Sequence, residues 1–177
     1  MVVTKVSHHQ VAPHRGYFFD TNVWLYIFGP IAGTCEKKQS AYSNLLREII
    51  SHKASIHVSS LVLSEYINAV LHMGFNKWKR TPDNINANFK HDYRVTPEYK
   101  DTLADAIQQV QAILQVCQKR PDDFNIIDIN SILASMNQNA DYNDAYYLHD
   151  CEKIGLILVS DDADMQNMNS TITLITA

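Results

Sequence analysis

Apolar and polar positions divide the chain into short continuous apolar runs and longer stretches with helical spacing. Tyr17-Phe18-Phe19, bounded by Gly16, has the length and aromatic content of a buried strand. Val23 to Phe28 reads as a short helix that Thr21 and Asn22 can cap, broken by Gly29-Pro30 and Gly33. From Ser40 to His52, Tyr42, Leu45, Leu46, Ile49 and Ile50 recur at helical spacing. Ala54 to Val58 predicts a second strand. The helix opened by Ser59 or Ser60 is apolar through Leu71 except at Ser64, Glu65 and Asn68, so it is buried most of the way round. Thr96-Pro97-Glu98 is a helix start. That helix is expected to run to about Arg120, where Lys119 and Arg120 suit its dipole and Pro121 ends it. Phe124 to Ile127 is an apolar run with the length of a short strand. Asp128 can cap a helix holding Ile129, Ile132, Leu133 and Met136. Asn139 to Lys153 reads as a further helix, closed by Gly155 at its C′ position. Leu156-Ile157-Leu158-Val159 is the clearest buried parallel strand, and Thr171 to Ile175 gives the last one. Residues 1–15 read as an irregular lead-in.

Strands alternating with helices predict an α/β fold, with a mainly parallel central sheet of about five strands and helices on both sides. A length of 177 residues fits one domain, placed at 16–177. Hydrophobic content of 46% with 19% charged residues is that of a globular protein. No apolar run reaches the ~18 residues of a membrane span. The start lacks a signal-peptide core, and Cys35, Cys117 and Cys151 are widely spaced and odd in number, so a cytoplasmic location is expected.

A net charge of −4 excludes a global basic field for nucleic acid, leaving only local patches. The Gly74–Asp101 segment supplies one, with Lys77, Lys79, Arg80, Lys90, Arg94 and Lys100 among Phe75, Trp78, Phe89, Tyr93 and Tyr99. Cations and aromatics together suit single-stranded nucleic acid, through phosphate neutralisation and base stacking; Lys77, Trp78, Lys79, Arg80, Lys90 and Arg94 are the candidates. An ordinary solvated connection whose aromatics pack underneath has the same composition, and the two readings stand side by side.

The acids form the other constellation. Asp20 follows the first core strand, Glu65 lies just past the second, and Asp161, Asp162 and Asp164 follow Leu156–Val159. In a parallel sheet all of these strand ends share one edge. A helix leading into a strand runs antiparallel to it, so Asp141 and Asp144 also point there. Singly, most of them read first as something plainer: Asp20 as a cap or turn residue, Asp141 with Asp144 as an N-terminal capping arrangement, Asp161-Asp162 as a turn, and Glu65 as a solvent-facing or salt-bridged residue. Together they would repel one another and raise one another's pKa unless a cation neutralised them. Oxygen donors without His or Cys favour Mg²⁺ or Mn²⁺, one ion or two. Such an ion suits phosphodiester hydrolysis, because it acidifies water and shields the phosphate. The absence of G-x-G-x-x-G disfavours a dinucleotide-binding module. The lack of an Asp-x-Asp pair at Asp20-Thr21-Asn22 disfavours a small-molecule phosphatase.

Phe19-Asp20-Thr21-Asn22-Val23 resembles the opening motif of PIN domains, and Ser60-Leu61-Val62-Leu63-Ser64-Glu65 their glutamate helix. Asn143-Asp144-Ala145, followed by Cys151-Glu152-Lys153-Ile154-Gly155, is similar to their Asp-Ala helix. Leu158-Val159-Ser160-Asp161-Asp162-Ala163-Asp164-Met165 resembles their Thr-x-Asp-x-Asp-Phe segment. The motifs stand in the family's order over about residues 16–177. The resemblance implies a metal-dependent endoribonuclease, in many members the toxin of a toxin–antitoxin pair, acting on RNA, with a possible antitoxin partner and usually a homodimer. Position by position it gives Asp20, Glu65, Asp144 and Asp162 as the acids and Asp164 as a less regular fifth, with Asp141 as a helper. Asn22 would orient Asp20. Ser160 stands where the family usually has Thr and can bond Asp20. Met165 replaces the usual Phe. The Gly74–Asp101 segment is longer than its counterpart in compact bacterial toxins. The alternative is a non-catalytic RNA-binding or protein-interaction module on the same fold.

Overall fold

The computed structural model describes residues 1–121, 124–136 and 140–177. Among them the strands are β1 (Val2–Lys5), β2 (Gly16–Phe19), β3 (Ser55–Val58), β4 (Gln118–Lys119), β5 (Ile157–Val159) and β6 (Thr173–Thr176). The α-helices are α1 (Thr21–Ile27), α2 (Glu36–Ser51), α3 (Ser60–Trp78), α4 (Pro97–Val116), α5 (Ile129–Ser135) and α6 (Tyr142–Ile154). The strands form one sheet in the order β1-β6-β5-β2-β3-β4, and every pairing is parallel.

The two inner strands explain the layering. Tyr17, Phe18 and Phe19 of β2 and Ile157, Leu158 and Val159 of β5 are all buried, so both faces of the sheet centre are covered. That is the demand a parallel sheet makes on its helices. From β2 the chain proceeds outward to β3 and β4; from β5 it proceeds to β6 on the other side. The switch in direction therefore falls between β2 and β5, and in open α/β sheets the crevice at the strands' carboxyl ends opens there. Phe19 stands level with Val159, which brings the following residues, Asp20 and Ser160, side by side.

Local chemistry sets the helix ends. Thr96 caps α4 by accepting from the Tyr99 N–H, with Pro97 at the first helical position. Asp128 caps α5. Asp141 and Asp144 exchange side-chain and backbone bonds as a full capping box on α6, which ends at Gly155 with φ 72°.

Four sequence expectations need correction. Residues 1–15 are not wholly irregular: Val2–Lys5 pairs with Thr173–Thr176 as β1. Val2 and Val3 are exposed, so this edge strand lacks the buried apolar signature that marks the others. The helix expected to reach Arg120 stops at Val116, and Gln118-Lys119 joins the sheet beside His57 and Val58. Phe124 to Ile127 is a turn, with Phe124 and Ile126 largely exposed. The sixth helix begins at Tyr142, and its expected start at Asn139 lies outside the described residues.

Candidate active site

The site grows from the switch point. The β2 ladder continues one residue beyond the strand, with Asp20 N–H donating to the Val159 carbonyl at 2.9 Å. This fixes Asp20 as the N-cap of α1, its Oδ1 accepting from Thr21 N–H at 2.6 Å. Oδ2 accepts from Ser160 Oγ at 2.7 Å and from Asn22 Nδ2 at 2.5 Å. The capping role expected of Thr21 and Asn22 thus belongs to Asp20, and both neighbours serve the site instead. Asn22 bridges the two strand ends, its Oδ1 accepting from the Asp161 N–H at 2.9 Å. Ser160 is fully buried, and besides bonding Asp20 it accepts from the Asp162 N–H at 3.0 Å.

Glu65 comes from the second turn of α3. Its Oε2 accepts from Thr21 Oγ1 at 2.9 Å and from Tyr147 OH at 2.7 Å. Asp144, in the first turn of α6, accepts from the Asp141 N–H at 3.1 Å through Oδ2. Asp162 Oδ1 accepts from the Asp164 N–H at 2.8 Å. Asp164 is exposed and, among the described residues, joins the group through that backbone bond. Asp161 faces elsewhere, bound to Lys38 Nζ at 2.6 Å and Tyr42 OH at 3.0 Å.

The four acids feel one another's charge. Burial pushes the Asp20 carboxyl up to about 7, opposed by its Ser160 bond and reinforced by the charges of Glu65 and Asp144. Asp144 is pushed up to about 6, first by burial, then by the charges of Asp141, Asp162 and Glu65. These shifts express burial first, with the repulsion of the neighbouring acids added to it. The donors are all oxygen, which fits a hard divalent cation by chemistry. Each of the four carboxylates is turned to a protein donor, and among the described residues no three acidic, His or Cys side chains stand close enough to enclose an ion.

Sequence reasoning missed two participants. Thr21 reads from the sequence only as a cap. Tyr147 sits in a run of aromatic residues that reads as core, and it is indeed buried; only its three-residue offset from Asp144 on α6 marks it.

The basic segment is built differently. Phe75, Trp78, Phe89, Tyr93 and Tyr99 pack on one another, with ring centroids 5.4 Å apart for Trp78–Tyr93 and 5.6 Å for Tyr93–Tyr99. Trp78 is therefore a packing residue of the α3 end. Lys77, Arg80, Lys90 and Arg94 are exposed, while Lys79 lies over the Phe75 ring at 5.3 Å. Lys90 and Arg94 line a cleft with Asn68, His72 and Phe89, and Asn68 is one helical turn beyond Glu65.

Comparison with known proteins bears on the fold and the family. No curated protein matches the sequence. The fold is similar to that of VapBC2 from Rickettsia felis, seen bound to a DNA fragment from their promoter (TM-score 0.53, 13% identity, covering 90% of this chain and 98% of that one). PAE2754 from Pyrobaculum aerophilum is a more distant likeness (TM-score 0.48, 17% identity, covering 90% of this chain and 83% of that one). The model of the PIN domain family matches residues 17–170, from the first core strand past the last acids, and the chain belongs to that family.

Proposed function

We propose that the protein is a divalent-cation-dependent endoribonuclease whose acids are Asp20, Glu65, Asp144 and Asp162. The observation that carries this reading is Asp20: a buried carboxylate, held by Ser160, Asn22 and Thr21, with its pKa raised beside three further acids. An uncompensated charge in such a place is costly, and its retention calls for a cation that offsets it. Mg²⁺ or Mn²⁺, as one or two ions, would be held by these four acids, with Asp141 and Asp164 beside them, once their side chains turn from the protein donors they now face, and would supply acidified water and shielding of the phosphate.

The chain's own residues then have distinct tasks. Asn22 and Ser160 fix the Asp20 carboxylate so that it need not reorganise during reaction. Thr21 and Tyr147 occupy one oxygen of Glu65 and leave Oε1 without a protein donor among the described residues. Asp144, at its raised pKa, can hold or release a proton near neutral pH. Exposed Lys77, Arg80, Lys90 and Arg94, with Lys79, attract the phosphates of single-stranded RNA, and Trp78 supports them from beneath.

Fold likeness to VapBC2 suggests an antitoxin as partner and a toxin role, with the homodimer common in the family. Three free cysteines fit a cytoplasmic site of action, and no helix among the described residues is long and apolar enough to cross a membrane. The test is RNA cleavage by purified Asp20→Asn protein in Mn²⁺. Loss of cleavage with an unchanged fold is expected; cleavage at the parent rate refutes the reading. If the parent itself cuts no RNA yet binds it, the non-catalytic module takes its place.

A further inference from the structure

Beside the acids lies a second feature that the four carboxylates do not use. A cleft of about 360 Å³ opens where the starts of α3 and α6 meet the end of β4. Tyr142 and Tyr146 line one side, with ring centroids 5.9 Å apart, one helical turn from each other on α6. Phe124, 60% exposed, lines it from the turn after β4, and Ser60 and Ser64 line it from α3. The cleft shares both helices with the acidic pocket. Ser64 precedes Glu65, and Tyr146 precedes Tyr147, which bonds Glu65.

We propose that this cleft receives one unstacked base of the single-stranded RNA bound across the acidic pocket, an inference that rests on the nuclease reading. Its volume lies in the ~300–1,000 Å³ range of small-molecule sites, to which a nucleotide belongs. Its charge decides between the parts of a nucleotide. Of the described residues lining it only Asp150 is charged, and Asp150 is paired with Arg120 at 3.1 Å. A phosphate would meet that carboxylate without a free cation lining the cleft to offset it, whereas a neutral base meets two tyrosine rings and serine hydroxyls. Sequence-specific RNA recognition uses this combination: aromatic faces for stacking, polar groups for the base edge. On the other side of Glu65 along α3, the Asn68–His72 cleft carries Lys90 and Arg94. Exposed Ser60, Ser64, Asn68, His72 and Asn76 form a polar stripe along α3 that joins the two. A strand laid on this stripe places a base in the aromatic cleft and phosphates by the cations, with a linkage between them passing Glu65.

The test measures binding of a ten-nucleotide single-stranded RNA by fluorescence anisotropy, in an Asp20→Asn background that keeps the RNA intact. Tyr142, half-buried at the first position of α6, is changed to Ala and to Phe. Tyr142→Ala is expected to weaken binding by roughly 5- to 100-fold, the range for losing one stacked base. Tyr142→Phe keeps the ring and should bind as the background does, which separates stacking from a folding defect. An RNA with one abasic position at the matching place should lose the same factor and be insensitive to Tyr142→Ala. Equal affinity of all three proteins for intact RNA overturns the proposal and leaves the cleft to another occupant, such as a protein partner. The nuclease reading fails separately: RNA that binds in a Tyr142-dependent way but is never cut by the parent removes that reading and leaves the base pocket standing.

Discussion

Tyr147 OH lies 2.7 Å from Glu65 Oε2, joining the middle of α6 to the second turn of α3 across the floor of the acidic pocket. The ring is buried and cannot leave, so the bond fixes where Glu65 points. Tyr147→Phe deletes only this donor. A hydrogen bond to a charged group is worth about 1.5–3 kcal/mol, so kcat/KM for RNA should fall by roughly 10- to 100-fold. Thr21 still holds the same oxygen, and thermal melting should show a much smaller change than the cleavage assay.

The raised pKa values of Asp20 and Asp144 make stability depend on pH in a stated direction. Both are pushed above 3.8, to about 7 and about 6, so between these limits the folded protein binds protons that the unfolded chain has released. Stability then falls as pH rises through this window, and the cost of the charged acids is fully present above pH 7. Melting in chelator should show a lower midpoint at pH 8 than at pH 5.5. Mn²⁺ should remove most of the difference, because it binds the folded state and compensates the charge. A midpoint in chelator that rises steadily to pH 8 would contradict this assignment.

Ser160→Ala tests the link between the two strand ends. The hydroxyl bonds Asp20 and accepts from Asn22 at 3.1 Å and from the Asp162 N–H. Its loss should cost about 1–3 kcal/mol by chemical denaturation, since buried partners are left unsatisfied. Cleavage should fall further than stability explains, because Asp20 and Asp162 both lose an anchor.

The basic segment should divide by residue. Replacing exposed Lys90 and Arg94 with Ala should weaken RNA binding and reduce the slope of log affinity against log salt by about 1.4, at ~0.7 per phosphate contact on a single strand. Trp78→Ala should instead lower the melting midpoint, since its ring packs on Tyr93 and Phe75. Its effect on the salt slope should be negligible.

These cases show where the sequence was legible. Phe18-Phe19 and Leu158-Val159 could be read as buried strands because both faces of each are covered, and the Asp that follows each then falls at a known edge. Gln118-Lys119 and Val2–Lys5 are strands by pairing alone. They lie at sheet edges, bury little, and so carry no apolar pattern. Phe124 and Ile126 mislead for the opposite reason, being apolar yet exposed. In the site, Asp162 and not Asp161 keeps company with Asp144, because Lys38 and Tyr42 draw Asp161 away. No local pattern encodes that choice, which depends on a helix more than a hundred residues earlier.

The bond between Ser160 and Asp20 spans 140 positions of the chain. During synthesis Asp20, Asn22 and Glu65 therefore leave the ribosome long before the segment that completes the pocket, and β2 has no β5 to pair with until then. On the nuclease reading proposed above, the nascent polypeptide would carry only half of its pocket past the message it is read from, and the whole would form when the switch-point strands close on each other.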